Sequence, residues 1–210
     1  MLIALVLILN LFFAQQPAHA DRPKVNKNPD YIEVNNTLKN LTQVQQQEMQ
    51  TQGAVSEATQ GQIEQLELQK YAIESGMNWG QCSNETGKTL AIYGGQPKDE
   101  EEDDDEVGLY ENQLYFLATG QTTEDEWDCD GFYLPKNITA TNNLQTEELA
   151  GPIAVKILDG TQLVIKTNPD TGVVEFDAPL TKSFHSGEVN WFIPNLSQSI
   201  IDTRVANAPT

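Results

Sequence analysis

The spacing of apolar residues changes near residue 76, and that change limits the chain to a helical part followed by a β part. Residues 31–75, "YIEVNNTLKNLTQVQQQEMQTQGAVSEATQGQIEQLELQKYAIES", hold no proline and many Gln, Glu and Leu. Val34, Leu38, Leu41, Val44 and Met49 recur at three- to four-residue spacing; Ile63, Leu66 and Ile73 continue the stripe, with Tyr71 at its edge. This is the period of a helix face. The stripe nearly vanishes between Gln50 and Gln62, where Val55 stands alone between Gly53 and Gly61. Each Gly costs a helix about 1 kcal/mol relative to Ala. The segment therefore reads as two helices broken near 51–61, or as one weak long helix that needs partners. Its narrow seam favours a coiled coil or helical hairpin; the alternative is an amphipathic helix lying on the C-terminal part.

Beyond residue 76, Gly becomes common and β-branched or aromatic runs appear. "TLAIY" (89–93), "NQLYFLAT" (112–119) and "GFYLP" (131–135) are candidate strands. Four more, "IAVKIL" (153–158), "TQLVIKT" (161–167), "GVVEFDA" (172–178) and "EVNWFI" (188–193), are joined by Asp159-Gly160, "NPDTG" and "TKSFHSG". Asp-Gly between two β-rich runs is a strong hairpin signal, so this region reads as a four-stranded antiparallel meander. The end of the chain, residues 195–210, reads as one helical turn and a frayed tail. The fold class is α+β: a helical stem or hairpin at 31–75, then a small antiparallel β-rich head at 76–194.

The first twenty residues, "MLIALVLILNLFFAQQPAHA", combine an apolar run, Pro17 and an Ala-His-Ala ending. They have the form of a signal peptide cleaved before Asp21, and the run falls short of the roughly 20 apolar residues of a membrane-spanning helix. Residues 21–30 follow as a flexible leader. No later stretch is long and apolar enough to span a bilayer, so a secreted, periplasmic or cell-surface location is expected. Residues 1–20 contain no Asp, Glu, Lys or Arg, so the mature chain carries the whole net charge of −19. Such a charge repels nucleic acid and anionic membrane surfaces.

Two cysteines, Cys82 and Cys129, in an exported chain point to one disulfide. By the chain-entropy model a loop of that length contributes about 4 kcal/mol. With two Cys and, after cleavage, the single histidine His185, a four-ligand Cys/His zinc site cannot be assembled. The string "CSNETGKT" (82–89) ends like a phosphate-binding loop. Cys82 occupies the required glycine position, however, and "TLAIY" downstream is β-like rather than helical, which argues against nucleotide binding.

Three groups remain as candidate sites. The acidic run "DEEEDDDE" (99–106), within a loop at 97–108, is a solvated insertion, a weak Ca²⁺ sink or a docking site for a basic partner. In "DEWDCDGF", Glu126, Asp128 and Asp130 alternate before Gly131 as a partial Ca²⁺ loop, Ca²⁺ being the one cofactor the chain suggests. Trp127, Trp191 and Tyr133 read either as a sugar-binding platform or as core. Over residues 1–75 an apolar leader followed by a Gln-rich coil resembles minor pilus subunits of type IV secretion systems, in texture and without a shared motif. The β character after residue 76 departs from them. The expected function is non-catalytic: a structural, adhesion or envelope- and appendage-assembly protein. It would act through a protein partner or self-association of the stem, with a glycan or surface ligand on the head. The alternatives are a small carboxylate-dependent hydrolase and an extracytoplasmic Ca²⁺-binding module.

Overall fold

The computed structural model describes residues 25–95, 113–125, 127–145 and 147–210. The signal peptide expected at 1–20, the acidic loop at 97–108 and Glu126 lie outside the described residues.

The helical region is a hairpin of two helices, α1 (Pro29–Gln52) and α2 (Glu57–Glu74). Local chemistry sets both ends of α1 and the start of α2. Asn28 caps α1 by accepting the amides of Asp30 and Tyr31 at 2.8 and 3.0 Å, and Pro29 follows where its missing N–H costs nothing. Gly53, at φ 74°, ends the helix in the left-handed conformation. Ser56 caps α2, and the Glu48 carboxylate reaches across the turn to the Ser56 amide (2.9 Å), the Ser56 hydroxyl (3.1 Å) and the Thr59 hydroxyl (3.0 Å). The break at 53–56 falls inside the expected window, while Gly61 is carried within α2. The apolar stripe is consumed between the two helices and the head: Val34, Leu66 and Ile73 are buried with Leu158, flanked by Leu38 and Leu41. Toward the tip it fails, leaving Val44 42 % and Met49 53 % exposed.

The head holds ten strands in two five-stranded sheets. One sheet has the order β1-β8-β9-β5-β6, formed by β1 (Gln81–Glu85), β8 (Gln162–Thr167), β9 (Val174–Phe176), β5 (Thr139–Asn142) and β6 (Glu147–Ala150). The other has the order β10-β7-β4-β2-β3, formed by β10 (Lys182–Phe184), β7 (Ile153–Lys156), β4 (Cys129–Leu134), β2 (Leu90–Gly94) and β3 (Gln113–Leu117). Pairing is antiparallel except for β1 with β8 and β5 with β9. Leu163, Ile165 and Phe176 of the first sheet meet Ile92, Phe132 and Val155 of the second in one core, which makes the head a sandwich. The Cys82–Cys129 disulfide, with Cα atoms 6.0 Å apart, joins the sheets directly.

The two sheets differ in exposure. In β8, Leu163 and Ile165 are buried while Gln162, Val164 and Lys166 are exposed, the alternation of a half-buried strand. β2 is buried throughout. Leu90 and Ile92 face the sandwich core, while Ala91 and Tyr93 join a second cluster with Tyr133, Trp191, Ile193 and Ile201. The chain after β10 thus lies over the outer face of the second sheet. It includes α3 (Gln198–Ile201).

Two expectations are corrected. β7 and β8, either side of Asp159-Gly160, do not pair; they belong to different sheets. Asp159 donates its amide to Asp30, Gly160 donates to the Trp79 carbonyl at 2.8 Å, and Gln81 donates to the Thr161 carbonyl at 2.9 Å. These contacts turn β8 onto β1 rather than back onto β7. Of the expected meander only the β8–β9 hairpin forms; residues 188–193 are cover, and β10 arises inside the supposed turn 181–187. Nor does the tail fray. Asn207 and Ala208 donate to the Phe116 carbonyl at 2.9 and 3.1 Å, and the Phe116 amide donates to the Asn207 side chain at 2.8 Å. This occupies backbone groups of the edge strand β3 that would otherwise be free.

β4 crosses β7 at Gly131, where φ is 150° and an added Cβ would lie 2.0 Å from the Val155 carbonyl oxygen. Gly131→Ala is expected to separate these central strands and to cost at least about 3 kcal/mol, read as a lower denaturant midpoint.

Candidate functional site

The base of the hairpin meets the head at a polar junction built from five parts of the chain. The α1 cap sets its first member: because Asn28 and Pro29 start the helix, Asp30 sits in the first turn, buried, with its carboxylate toward the sandwich. One oxygen accepts from Lys156 Nζ at 2.5 Å and the other from the Asp159 amide at 3.0 Å. Lys156 ends β7 and also donates to the Ile157 carbonyl at 3.2 Å. Asp159 follows three residues on. Its carboxylate accepts from Asn28 Nδ2 at 2.8 Å, and its carbonyl accepts from the Gln69 side chain of α2. Asp128 and Asp130 flank Cys129 at the start of β4, and Asp128 accepts from the Gly80 amide at 2.8 Å. The β2–β4 register shifts between Tyr93 and Gly94, opposite Asp130, and the Asp130 carbonyl accepts from the Ile157 amide at 2.9 Å beside Lys156.

Four carboxyl groups therefore share one ammonium in a partly desolvated space. Burial pushes Asp128 up to about 7; the Gly80 hydrogen bond opposes this, while the charges of Asp159 and Asp30 add to it. Burial, and next the Asp128 charge, push Asp130 up to about 8, with Lys156 opposing. Asp159 is also raised, first by burial, with the Asn28 hydrogen bond opposing and the Asp30 charge adding to it. Asp128 and Asp130 are thus held well above the range of an exposed aspartate.

Among the described residues, no three His, Cys, Asp or Glu side chains are grouped to hold a metal ion. Asp128 and Asp130 stand beside the hairpin–head junction, and Glu126, the third residue of the expected Ca²⁺ loop, lies outside the described residues. The three aromatic residues do not form a platform. Trp127 is 3 % exposed and packs edge-on to Tyr115 with ring centroids 5.2 Å apart. Trp191 is 9 % exposed and lies 4.6 Å from the ring of Tyr93. Tyr133 is 1 % exposed and donates its hydroxyl to the Pro194 carbonyl at 2.5 Å. These rings carry the largest apolar areas in a small head, and burial outweighs display. "CSNETGKT" is strand β1, a turn at Thr86–Lys88 and strand β2; no helix follows to cradle a phosphate. His185 is exposed, and its amide donates to Glu188.

Sequence reading singled out Asp128 and Asp130 but missed Asp30, Lys156 and Asp159. Asp30 lies 126 residues from Lys156 and 129 from Asp159, and only the assembled fold joins them. The one local hint was the Asn28-Pro29 cap, which forces Asp30 into a first turn.

No helix among the described residues is long and apolar enough to cross a membrane. No protein-family model, curated protein or solved structure matches the chain.

Lys156→Met removes the sole ammonium of the junction while keeping its stem. The expected loss is about 2–3 kcal/mol at pH 8, below the range for fully buried pairs because the Lys156 side chain is 23 % exposed. The loss shrinks at pH 5, where protons replace the missing cation. Urea titrations at the two pH values measure both.

Proposed function

We propose that this chain is an exported, non-catalytic binding protein whose stapled sandwich holds the helical hairpin out as a docking arm for another protein. The observation that supports this most is where apolar surface remains. Among the described residues, six of the eleven exposed large apolar side chains lie between Ile32 and Met77. Leu68 and Tyr71, 69 % and 67 % exposed, are one turn apart on α2 and so share a face. The arm is long enough to reach: the 24 residues of α1 span about 36 Å. Its contacts with the head come from its base. The side-chain hydrogen bonds of residues 42–62, such as Gln45 to Gln60 and Glu48 to Ser56, stay within the hairpin. Because Val34, Leu66 and Ile73 are already packed against one another and against Leu158 of the head, the outward residues are left for a partner.

The compartment follows the leader peptide and the disulfide. Residues 1–20 act as an export signal, and Cys82–Cys129 suits an oxidising space, secreted, periplasmic or at the cell surface. Residues 31–75 carry six Glu and two Lys, so the partner presents a neutral or basic face with an apolar centre. A role in surface or appendage assembly fits an arm held by a rigid head.

The test is Leu68→Ser with Tyr71→Ser. Both sites are exposed, so folding stability should move by no more than about 0.5 kcal/mol. Binding of the purified oxidised protein is measured against itself by sedimentation and against the extracytoplasmic proteins of its own cells by affinity retention. The expected result is at least a tenfold weakening by the double variant at an unchanged thermal melt. A wild-type monomer with no partner whose retention depends on these two residues overturns the reading.

A further inference from the structure

The string "CSNETGKT" cradles no phosphate, yet the fold gives its turn a definite place. β1, β4 and β8 all start at the hairpin end of the head, at Gln81, Cys129 and Gln162, so they finish at the opposite end of the sandwich. There the turn Thr86–Lys88 is pinned by Asn84, which is fully buried. Asn84 Nδ2 donates to the Lys88 and Leu117 carbonyls, both at 2.8 Å, and its Oδ1 accepts from the Thr86 amide at 3.0 Å. Thr167, the last residue of β8, donates its hydroxyl to the Thr86 carbonyl at 3.1 Å. The turn is therefore fixed before anything binds to it.

Beside this turn lies a cavity of about 50 Å³. Leu90, Phe132, Leu134, Ile138 and Val174 line it with apolar side chains drawn from both sheets. Gln198, at the start of α3, lines it as well, held by donating to the Thr89 carbonyl at 2.7 Å and to Asp202 at 2.8 Å. Such a volume takes about three waters, and apolar walls offer them few hydrogen bonds, so a small apolar group displaces them readily. Lys88 is the one charged residue on the lining; it is exposed, and it has no ion pair among the described residues. Asp202, the acid tied to Gln198, already accepts from two N–H groups, that of Gln198 and the Thr89 amide at 3.2 Å.

We propose that this end of the sandwich binds a small monocarboxylic acid with a short branched apolar tail, the tail entering the cavity and the carboxylate meeting Lys88. The volume sets the size of the tail, since a long acyl chain has nowhere to go. The ammonium sets the sign of the charge. The overall −19 of the chain opposes an anion at long range, but salt screens it beyond about 8 Å. The site lies at the far end of the head from the docking arm and is independent of it.

Methyl NMR titration of the oxidised full chain tests the site with isovalerate, isoamyl alcohol and laurate. Isovalerate is expected to shift the Leu90, Ile138 and Val174 methyls saturably, leaving Val34 and Leu158 at the hairpin base unmoved. Four buried carbons and one exposed ion pair supply a Kd of about 1 mM. Lys88→Met should weaken isovalerate about fivefold and leave the alcohol unchanged. Ile138→Phe fills the cavity and should abolish both; Val174→Ile, one methyl larger, should weaken both and serves if Ile138→Phe does not fold. No saturable shift of these methyls at about ten times the expected Kd overturns the proposal. Isovalerate and the alcohol binding equally, with Lys88→Met without effect, overturns it in favour of a purely apolar cavity. Laurate binding more than about tenfold tighter than isovalerate overturns it in favour of an open acyl-chain groove.

Discussion

The Cys82–Cys129 bond is the constraint on which the rest of the architecture leans. It links β1, the first strand after the hairpin, to β4, the centre of the other sheet, across the sandwich core. β1 ladders with β8 on one side, and on the other Cys82 and Asn84 exchange backbone bonds with the segment 120–123. The bond fixes where α2 delivers the chain, and so it fixes where the base of the hairpin lands. Asp128 and Asp130 stand on either side of the same cysteine, so the staple and the charged junction are one locality.

Much of the fold was readable from patterning. The α+β division, the helical hairpin and the disulfide follow from apolar spacing and cysteine number. The strands at 90–94, 113–117 and 129–134 lie where β-branched and aromatic residues cluster. The partnering of strands was not readable in the same way. Asp159-Gly160 has the composition of a tight hairpin, yet its backbone is claimed by Asp30 and Trp79, and a local rule cannot see partners so distant in sequence. The same limit hid the junction. Asp30, Lys156 and Asp159 are unremarkable one by one, and their chemistry arises from being brought together out of water.

The aromatic residues teach a related lesson. Trp127, Trp191 and Tyr133 look alike in sequence whether they display a surface or fill an interior. What decides is that the second sheet is covered on both faces, which needs large side chains on both. Trp191 is supplied by a segment that alternates like a strand but pairs as none, because its task is to cover Tyr93 rather than extend the sheet. The buried indole N–H of Trp127 has no partner among the described residues, so its packing against Tyr115 and Gly94 is made at a polar cost.

The parallel pairing of β1 with β8 carries a consequence for the order of events in the cell. Gln81 finds Gln162 only after 81 further residues have been made, and the Phe116 carbonyl waits for Asn207. Long-range pairings of this kind close slowly, because much chain entropy is lost before any contact is gained. While they wait, the hairpin helices can form locally but the sandwich cannot. A chain so arranged keeps its sandwich open for as long as its C-terminal third is missing.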